Sequence, residues 1–388
     1  MQQASWAELT AYRSRLRGCL LGGAIGDALG NPVEFHSLDR IRAEHGPAGV
    51  TGLLPDHEGV VGRITDDTQM TLFSAEGRLN GYCRSRDRGI SGAEGELVLD
   101  AYLRWLDTQD FPAPPPAEGL RHRAGELRNE PWLYARRAPG NACLSGLRVR
   151  QVPAPHPYAK ITGTPGPINP DSKGCGTVMR SAPFGFTLSG AEHSFQLAAN
   201  CAQMTHGHPT GYYAAGAFAA IVSFLVDGES LPGSVLRTLE LLARYPGHQE
   251  TSTALRRAVE LAEEGEGSAE QVERLGQGWV AEEALAIGVY AVLARTRPQV
   301  YRYGQGPTVC EPSPPRTPIE AAFLLSVNHS GDSDSTGSIA GNLLGALHGD
   351  VRLPQHWLSK VEGRAVIARV ADDFAAEVLR GEPRPWEH

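Results

Sequence analysis

Cysteine is sparse and scattered: six in 388 residues, at positions 19, 83, 143, 175, 201 and 310, with no CxxC pair and no zinc-finger spacing to histidine. That excludes a thiolate zinc site and a disulfide scaffold, and fits reduced thiols inside a cell. Basic charge is also short. The 36 Lys and Arg face 44 Asp and Glu, a net charge of −8, so the chain lacks the cation surplus with which a protein coats nucleic-acid phosphates. No bulk nucleic-acid surface is expected. The N-terminal stretch has no apolar run long enough to span a bilayer, because Glu8, Arg13, Arg15, Arg17 and a string of glycines interrupt it. A cytoplasmic protein without a membrane anchor is expected. Alternation of β-branched residues, the mark of a sheet, is scarce as well.

What is present is helical periodicity over a hydrophobic fraction of 41%, enough for a sizeable core. Leu9, Tyr12, Leu16, Leu20 and Ala24 recur at spacings of three and four. So do apolar residues in 70–79, 97–106, 198–204, 212–225, 235–242, 281–293, 321–327, 339–347 and 366–379. Asp110–Gly119 and Gln151–Pro170 are rich in proline and glycine and read as irregular surface segments. No composition shift divides the chain, which favours one continuous helical domain.

Polar clusters interrupt this pattern. Thr65-Asp66-Asp67-Thr68 precedes an apolar helix and suits a helix start, where hydroxyl and carboxylate cap free N–H groups. Gly331-Asp332-Ser333-Asp334-Ser335-Thr336 precedes another, but one cap leaves a second acid and further hydroxyls unexplained. Neighbouring carboxylates repel unless a cation or proton is shared, and carboxylates with hydroxyls form the ligand set of a hard cation. An EF-hand fits poorly, because Leu343 stands where the twelfth-position acid belongs.

The glycines of Gly22-Gly23-Ala24-Ile25-Gly26-Asp27-Ala28-Leu29-Gly30 permit close helix contact. Asp27 reads as a satisfied structural acid, and Glu34, after the helix-ending Pro32, as either an aimed or a solvated carboxylate. In Ser172-Lys173-Gly174-Cys175-Gly176, the glycines before a helix would offer N–H groups to an anion, but on the residues alone an ordinary turn explains them better. Cys175 has no base specified beside it as a nucleophile would. His206, in Thr205-His206-Gly207-His208-Pro209, suits a helix junction or a ligand contact.

Taken together and in this order, from Gly22 to Gly345, these segments resemble the ADP-ribosylglycohydrolase family. Residues 139–147, 172–180 and 205–209 look like its bacterial branch. The resemblance implies an all-α, compact orthogonal helical bundle: a single domain over 1–388 with a motif-bearing core of about 10–350 and irregular loops near 108–140 and 151–171. It also implies two Mg²⁺ ions, replaceable by Mn²⁺, held by Thr65, Asp66, Asp67, Asp332, Asp334 and Ser335, with Asp334 bridging. Glu34 matches the gating glutamate, Ser172, Lys173, Gly174, Cys175 and Gly176 the segment around the diphosphate, and His206 a nucleotide-pocket residue. Two departures stand out. Ser335 replaces the usual Thr, and loop 134–139 carries no acid to protonate an arginine leaving group.

The implied reaction cleaves the N- or O-glycosidic bond between the distal ribose and an acceptor, whether protein side chain, nucleic acid or small molecule. ADP-ribose is released, and Glu34, Asp66 or Asp67 accepts a proton. Two rivals remain open: an ADP-ribose-binding protein with weak or no turnover, and a two-metal small-nucleotide phosphodiesterase. Acceptor and oligomeric state stay unread.

Overall fold

A computed structural model describes residues 6–89, 91–149, 154–265, 267–296 and 316–380. Among them the chain is all-α, as the periodicity requires, with only two isolated β-bridges. In chain order the helices are α1 (Trp6–Gly30), α2 (Leu38–His45), α3 (Asp66–Arg88), α4 (Glu94–Asp110), α5 (Asn141–Leu147), α6 (Ala191–Ala202), α7 (Pro209–Val226) and α8 (Leu231–Leu242). They continue with α9 (Gln249–Glu264), α10 (Ala269–Glu273), α11 (Ala281–Thr296), α12 (Pro318–Val327), α13 (Ser333–His348), α14 (Gln355–Leu358) and α15 (Arg364–Arg380). Residues 111–119 and 154–170 form no helix or strand, whereas 151–153 of the second irregular segment, like Cys310, lie outside the described residues.

Five α-helices, α2, α5, α9, α10 and α14, arise where no apolar run announces them. Helix α2 is started by Ser37, whose hydroxyl accepts from Arg40 N–H. Helix α9 is mostly polar but presents one apolar stripe, Leu255, Ala258, Leu261 and Ala262, which packs toward α11. Helix α7 is long and apolar enough to cross a membrane, yet nearly all of it is buried inside the protein as a core helix.

The most intimate contact joins the two ends of the chain. Helices α1 and α13 run antiparallel and meet backbone to backbone: Gly18 against Gly345, Gly22 against Gly341, Gly26 against Gly337, and Gly30 against Ser333. A Cβ on Gly26 would sit 1.8 Å from the Gly337 carbonyl oxygen, and one on Gly341 would sit 2.0 Å from that of Gly22. No side chain fits. Asn342 closes the pair by donating its amide N–H to the Cys19 carbonyl at 2.8 Å. Because the helices are antiparallel, the C-terminal end of α1 with Glu34 beyond it stands beside the N-terminal end of α13 with Asp332 and Asp334. Helices α3 and α15 pack on α1, while α11 and α12 pack on α13.

Alanine normally stabilises a helix relative to glycine by about 1 kcal/mol, so the sign of the effect reports on this contact. Gly26→Ala and Gly341→Ala should each lower the melting temperature, the clash outweighing the propensity gain by about 1–3 kcal/mol. Gly233→Ala in α8 is the control, since its Cβ would meet no backbone atom, only Ser230 Oγ at 3.2 Å and Glu229 Oε2 at 3.9 Å. Thermal melts in which all three variants match the wild type would refute the close contact.

Candidate functional site

Asp27 ties the start of α3 to α1. Its carboxylate accepts from Thr65 N–H at 3.0 Å through both oxygens, from Thr68 N–H at 3.1 Å and from the Thr68 hydroxyl at 2.5 Å. The structural reading of this acid holds, and its effect is to place Asp66 and Asp67 at the α1–α13 seam. Thr65 is the N-cap of α3, its hydroxyl accepting from Asp67 N–H at 3.3 Å. Asp66 Oδ2 accepts from Gly140 N–H at 3.3 Å, which brings loop 134–139 against the site.

Across the seam Asp332 caps α13, its Oδ1 accepting from Ser335 N–H at 3.3 Å. Asp334 Oδ1 accepts from the same N–H at 3.0 Å. Ligand oxygens of Glu34, Asp332 and Asp334 all lie within 4.8 Å of one another. Asp66, Asp67, Asp332 and Asp334 are buried, while Glu34 keeps partial access to solvent. Asp67 Oδ1 is buried with no hydrogen-bond partner.

Burial, followed by the charge of neighbouring acids, raises the carboxyls of this cluster above the ordinary range: Asp66, Asp67 and Asp332 well above it. Asp27 is pushed up to about 7 and Glu34 to about 10, in both cases by burial first and the Asp334 charge second. Asp334 is also raised, by burial. No Lys or Arg is among the main influences on any of these groups.

The second half of the predicted site adjoins the first through Cys175, whose thiol donates to Asp332 Oδ2 at 2.8 Å. Burial and the Asp332 charge hold that thiol well above its ordinary pKa, which makes it a hydrogen-bond donor and not a nucleophile. The helix expected after Gly174 and Gly176 is only a single 3-10 turn, Cys175–Thr177, and Cys175 N–H is taken by the Trp279 carbonyl at 3.1 Å. An isolated bridge between Gly174 and Val280 pins the extended approach to this turn. Lys173 places its ammonium on Glu250 at 2.9 Å and Glu282 at 2.5 Å. Ser172 lines an open cavity of about 990 Å³ together with Arg136, Asn141, Ser145 and Asn169.

His206 lies under this segment, 3.3 Å from where a Gly174 Cβ would be, with Nδ1 at 2.8 Å from the Thr205 hydroxyl. Burial, assisted by Arg180, pushes its pKa down to about 3, so the imidazole is neutral at physiological pH. Buried Arg180 donates to Thr205 Oγ1 at 2.6 Å and places a positive charge behind this half of the site.

Sequence patterns missed the loop Gly276-Gln277-Gly278-Trp279. It fixes Asp332, whose N–H donates to the Gln277 carbonyl at 2.8 Å, and it comes so close that a Gly278 Cβ would lie 3.3 Å from the Asp332 Cβ. The two left-handed glycines, at φ +116° and +83°, were its available signal.

A profile of the ADP-ribosylglycohydrolase family matches residues 8–383. The chain is 27% identical over 375 residues to human ADP-ribosylhydrolase ARH3, covering 90% of each protein. It is 24% identical over 366 residues to the ADP-ribosyl-dinitrogen reductase glycohydrolase of Rhodospirillum rubrum, covering 91% of this chain and 92% of that one. Among solved structures, one described as an ADP-ribosylglycohydrolase-related protein complex superposes with a TM-score of 0.60 at 24% identity, over 95% of this chain and 99% of that one. That superposition speaks to the fold.

The crowding of acids has a direct consequence for the metal-free protein. A carboxyl whose folded pKa is raised contributes stability below its unfolded pKa of about 4 and loses it as pH climbs through the folded value. With Asp27 at about 7 and Glu34 at about 10, metal-free protein in chelator should melt at progressively lower temperature between pH 5 and pH 8. Asp334→Asn removes the charge that acts on most of the others, and should melt higher than wild type at pH 8 but not at pH 5. A variant that melts lower at both pH values would contradict this account.

Proposed function

Because the chain belongs to the ADP-ribosylglycohydrolase family and is therefore a glycosidic hydrolase, we propose that it is a Mg²⁺-dependent ADP-ribosylhydrolase. It would cut the bond between the distal ribose of ADP-ribose and its acceptor, releasing ADP-ribose and the free acceptor. The observation that carries this reading is the convergence of the two acidic helix starts with Glu34 in one cluster, with no Lys or Arg of the described residues among the main influences on its carboxyls.

The donor set fits a pair of hard cations. Hydroxyls of Thr65 and Ser335 and carboxylates of Asp66, Asp67, Asp332 and Asp334 would hold them, and the buried, unpartnered Asp67 Oδ1 is an oxygen awaiting a ligand. Bound there, the ions would supply counter-charge and Lewis acidity toward ribose hydroxyls and water. Glu34 is the least buried of the three candidate proton acceptors, and its carboxylate is the one reachable by a proton from solvent water. Asp66 and Asp67, fixed by the α3 cap and Gly140, orient what lies between the helices.

The diphosphate belongs on the other half. Buried Arg180, neutral His206 and the glycine approach at Gly174 and Gly176 provide a positive, close-fitting wall, separate from the acids. Lys173, already shared between Glu250 and Glu282, serves by holding the segment in place and not as a free phosphate cation.

Incubation of the Mg²⁺-supplemented protein with an ADP-ribosylated peptide, followed by mass analysis, should yield intact ADP-ribose and unmodified peptide. Chelation, or Asp332→Asn, should reduce turnover at least a hundredfold without loss of helical circular dichroism. AMP as the first product would replace this reading with two-metal phosphodiester chemistry. Saturable ADP-ribose binding without turnover on any linkage would leave a binding protein.

A further inference from the structure

Residues 134–140 reach Asp66 twice, at its backbone and at its side chain. Asp66 N–H, one of those that a helix start leaves without an intrahelical partner, donates to the Arg137 carbonyl at 3.2 Å. Its Oδ2 accepts from Gly140 N–H at 3.3 Å. Neither contact fixes the acid unless the loop is itself held. Arg137 holds it, through a side chain that is only 12% exposed.

The Arg137 guanidinium joins three segments. It donates to the Ile64 carbonyl at 2.9 Å, two residues before Asp66, to the Trp132 carbonyl at 3.3 Å, and to both carboxylate oxygens of Glu362, Oε1 at 2.9 Å. Glu362 Oε2 accepts in turn from Ile64 N–H at 3.4 Å. One ion pair thus holds Ile64 at both of its backbone polar groups. Glu362 has an anchor of its own in the turn between α14 and α15. Its N–H donates to the Gly62 carbonyl at 2.9 Å, and beside it Gly363, at φ +66°, packs so closely that a Cβ would lie 2.3 Å from the Trp132 ring. The planar arginine fork can serve all these acceptors at once, which the point charge of a lysine cannot.

An ion pair on an open surface would contribute little. This one is tied to backbone on either side of Asp66. Nor does Arg137 act as counter-charge, because it is not among the main influences on the Asp66 carboxyl and its guanidinium is committed to Glu362. We propose that Arg137 and Glu362 are positioning residues for the cation site: acting as one unit, they set the backbone from Ile64 to Asp66 and so the direction from which Thr65 and Asp66 meet a bound ion. Asp27 fixes the same helix start from the α1 side. The pair fixes it from the α15 side. The inference rests on the metal-dependent reading above, since a ligand needs placing only if a cation binds there.

Mn²⁺ titration of the full chain, freed of metal with chelator and followed by electron paramagnetic resonance of free Mn²⁺, measures affinity without substrate. Arg137→Ala and Glu362→Ala should each weaken Mn²⁺ binding by about 10- to 100-fold, the usual consequence of losing a partner that orients a metal ligand. The double variant should lose no more than the weaker single one, because the pair acts as a unit. Arg369→Ala is the control. It removes a neighbouring ion pair, Arg369 to Glu130 at 2.8 Å, that also ties α15 to the segment before the loop but touches neither Ile64 nor Asp66, and it should bind Mn²⁺ as wild type does. Wild-type affinity in both single variants, additive losses in the double variant, or an equal loss in Arg369→Ala would overturn the proposal alone. Should Arg137→Ala fail to fold, Glu362→Ala, at a side chain 27% exposed, decides by its comparison with Arg369→Ala. A wild-type chain that binds no Mn²⁺ overturns the metal-dependent reading and this inference with it.

Discussion

Everything at the site depends on two helices touching without side chains between them. Gly18, Gly22, Gly26 and Gly30 of α1 meet Gly345, Gly341, Gly337 and Ser333 of α13 so closely that a single Cβ would overlap a carbonyl oxygen. Each glycine weakens its own helix. What the contact provides is position: the end of one helix and the start of the other are held in register, and with them Glu34, Asp332 and Asp334. Asp27, one residue past Gly26, then carries the register to α3 by holding Thr65 and Thr68. Three segments far apart in sequence thereby share one small volume.

That arrangement concentrates negative charge where water is scarce. Burial and mutual repulsion raise the acids together, a cost that a cation bound among them, as proposed, would relieve. The opposite half of the site is built with the reverse sign. Arg180 lies behind Thr205 and His206, and the imidazole is kept neutral by burial. In the proposed function, a ligand bearing ribose hydroxyls at one end and a diphosphate in its middle would meet complementary groups at both; Cys175, hydrogen-bonded to Asp332, stands at the junction.

Much of this was legible in the sequence because the chemistry comes in contiguous runs. Thr65-Asp66-Asp67 and Asp332-Ser333-Asp334-Ser335 are unusual in density of oxygen ligands, and the glycine spacing before Asp27 announces a tight helix contact. A mainly helical chain follows from apolar spacing, and the all-α bundle from the family resemblance. What could not be read depends on long-range pairing. Lys173 falls in the segment matched around the diphosphate, and its ion pairs with Glu250 and Glu282 join it to residues far along the chain. The expected helix after Gly176 is a single 3-10 turn, and the Gly174 approach to it pairs with Val280, far along the chain. Trp279 carries no local sign that it stacks on Phe35, and Arg137 none that it pairs with Glu362.

The central claim is that the α1–α13 contact and Asp27 assemble one shared cation site from both acidic helix starts. Its most direct test is Mn²⁺ titration followed by electron paramagnetic resonance. The account predicts two ions per chain with a spin-coupled spectrum, and loss of the coupling in Asp334→Asn, the carboxylate whose charge bears on Glu34, Asp66, Asp67 and Asp332 alike. A single uncoupled Mn²⁺, or a coupled pair that survives Asp334→Asn, would contradict it.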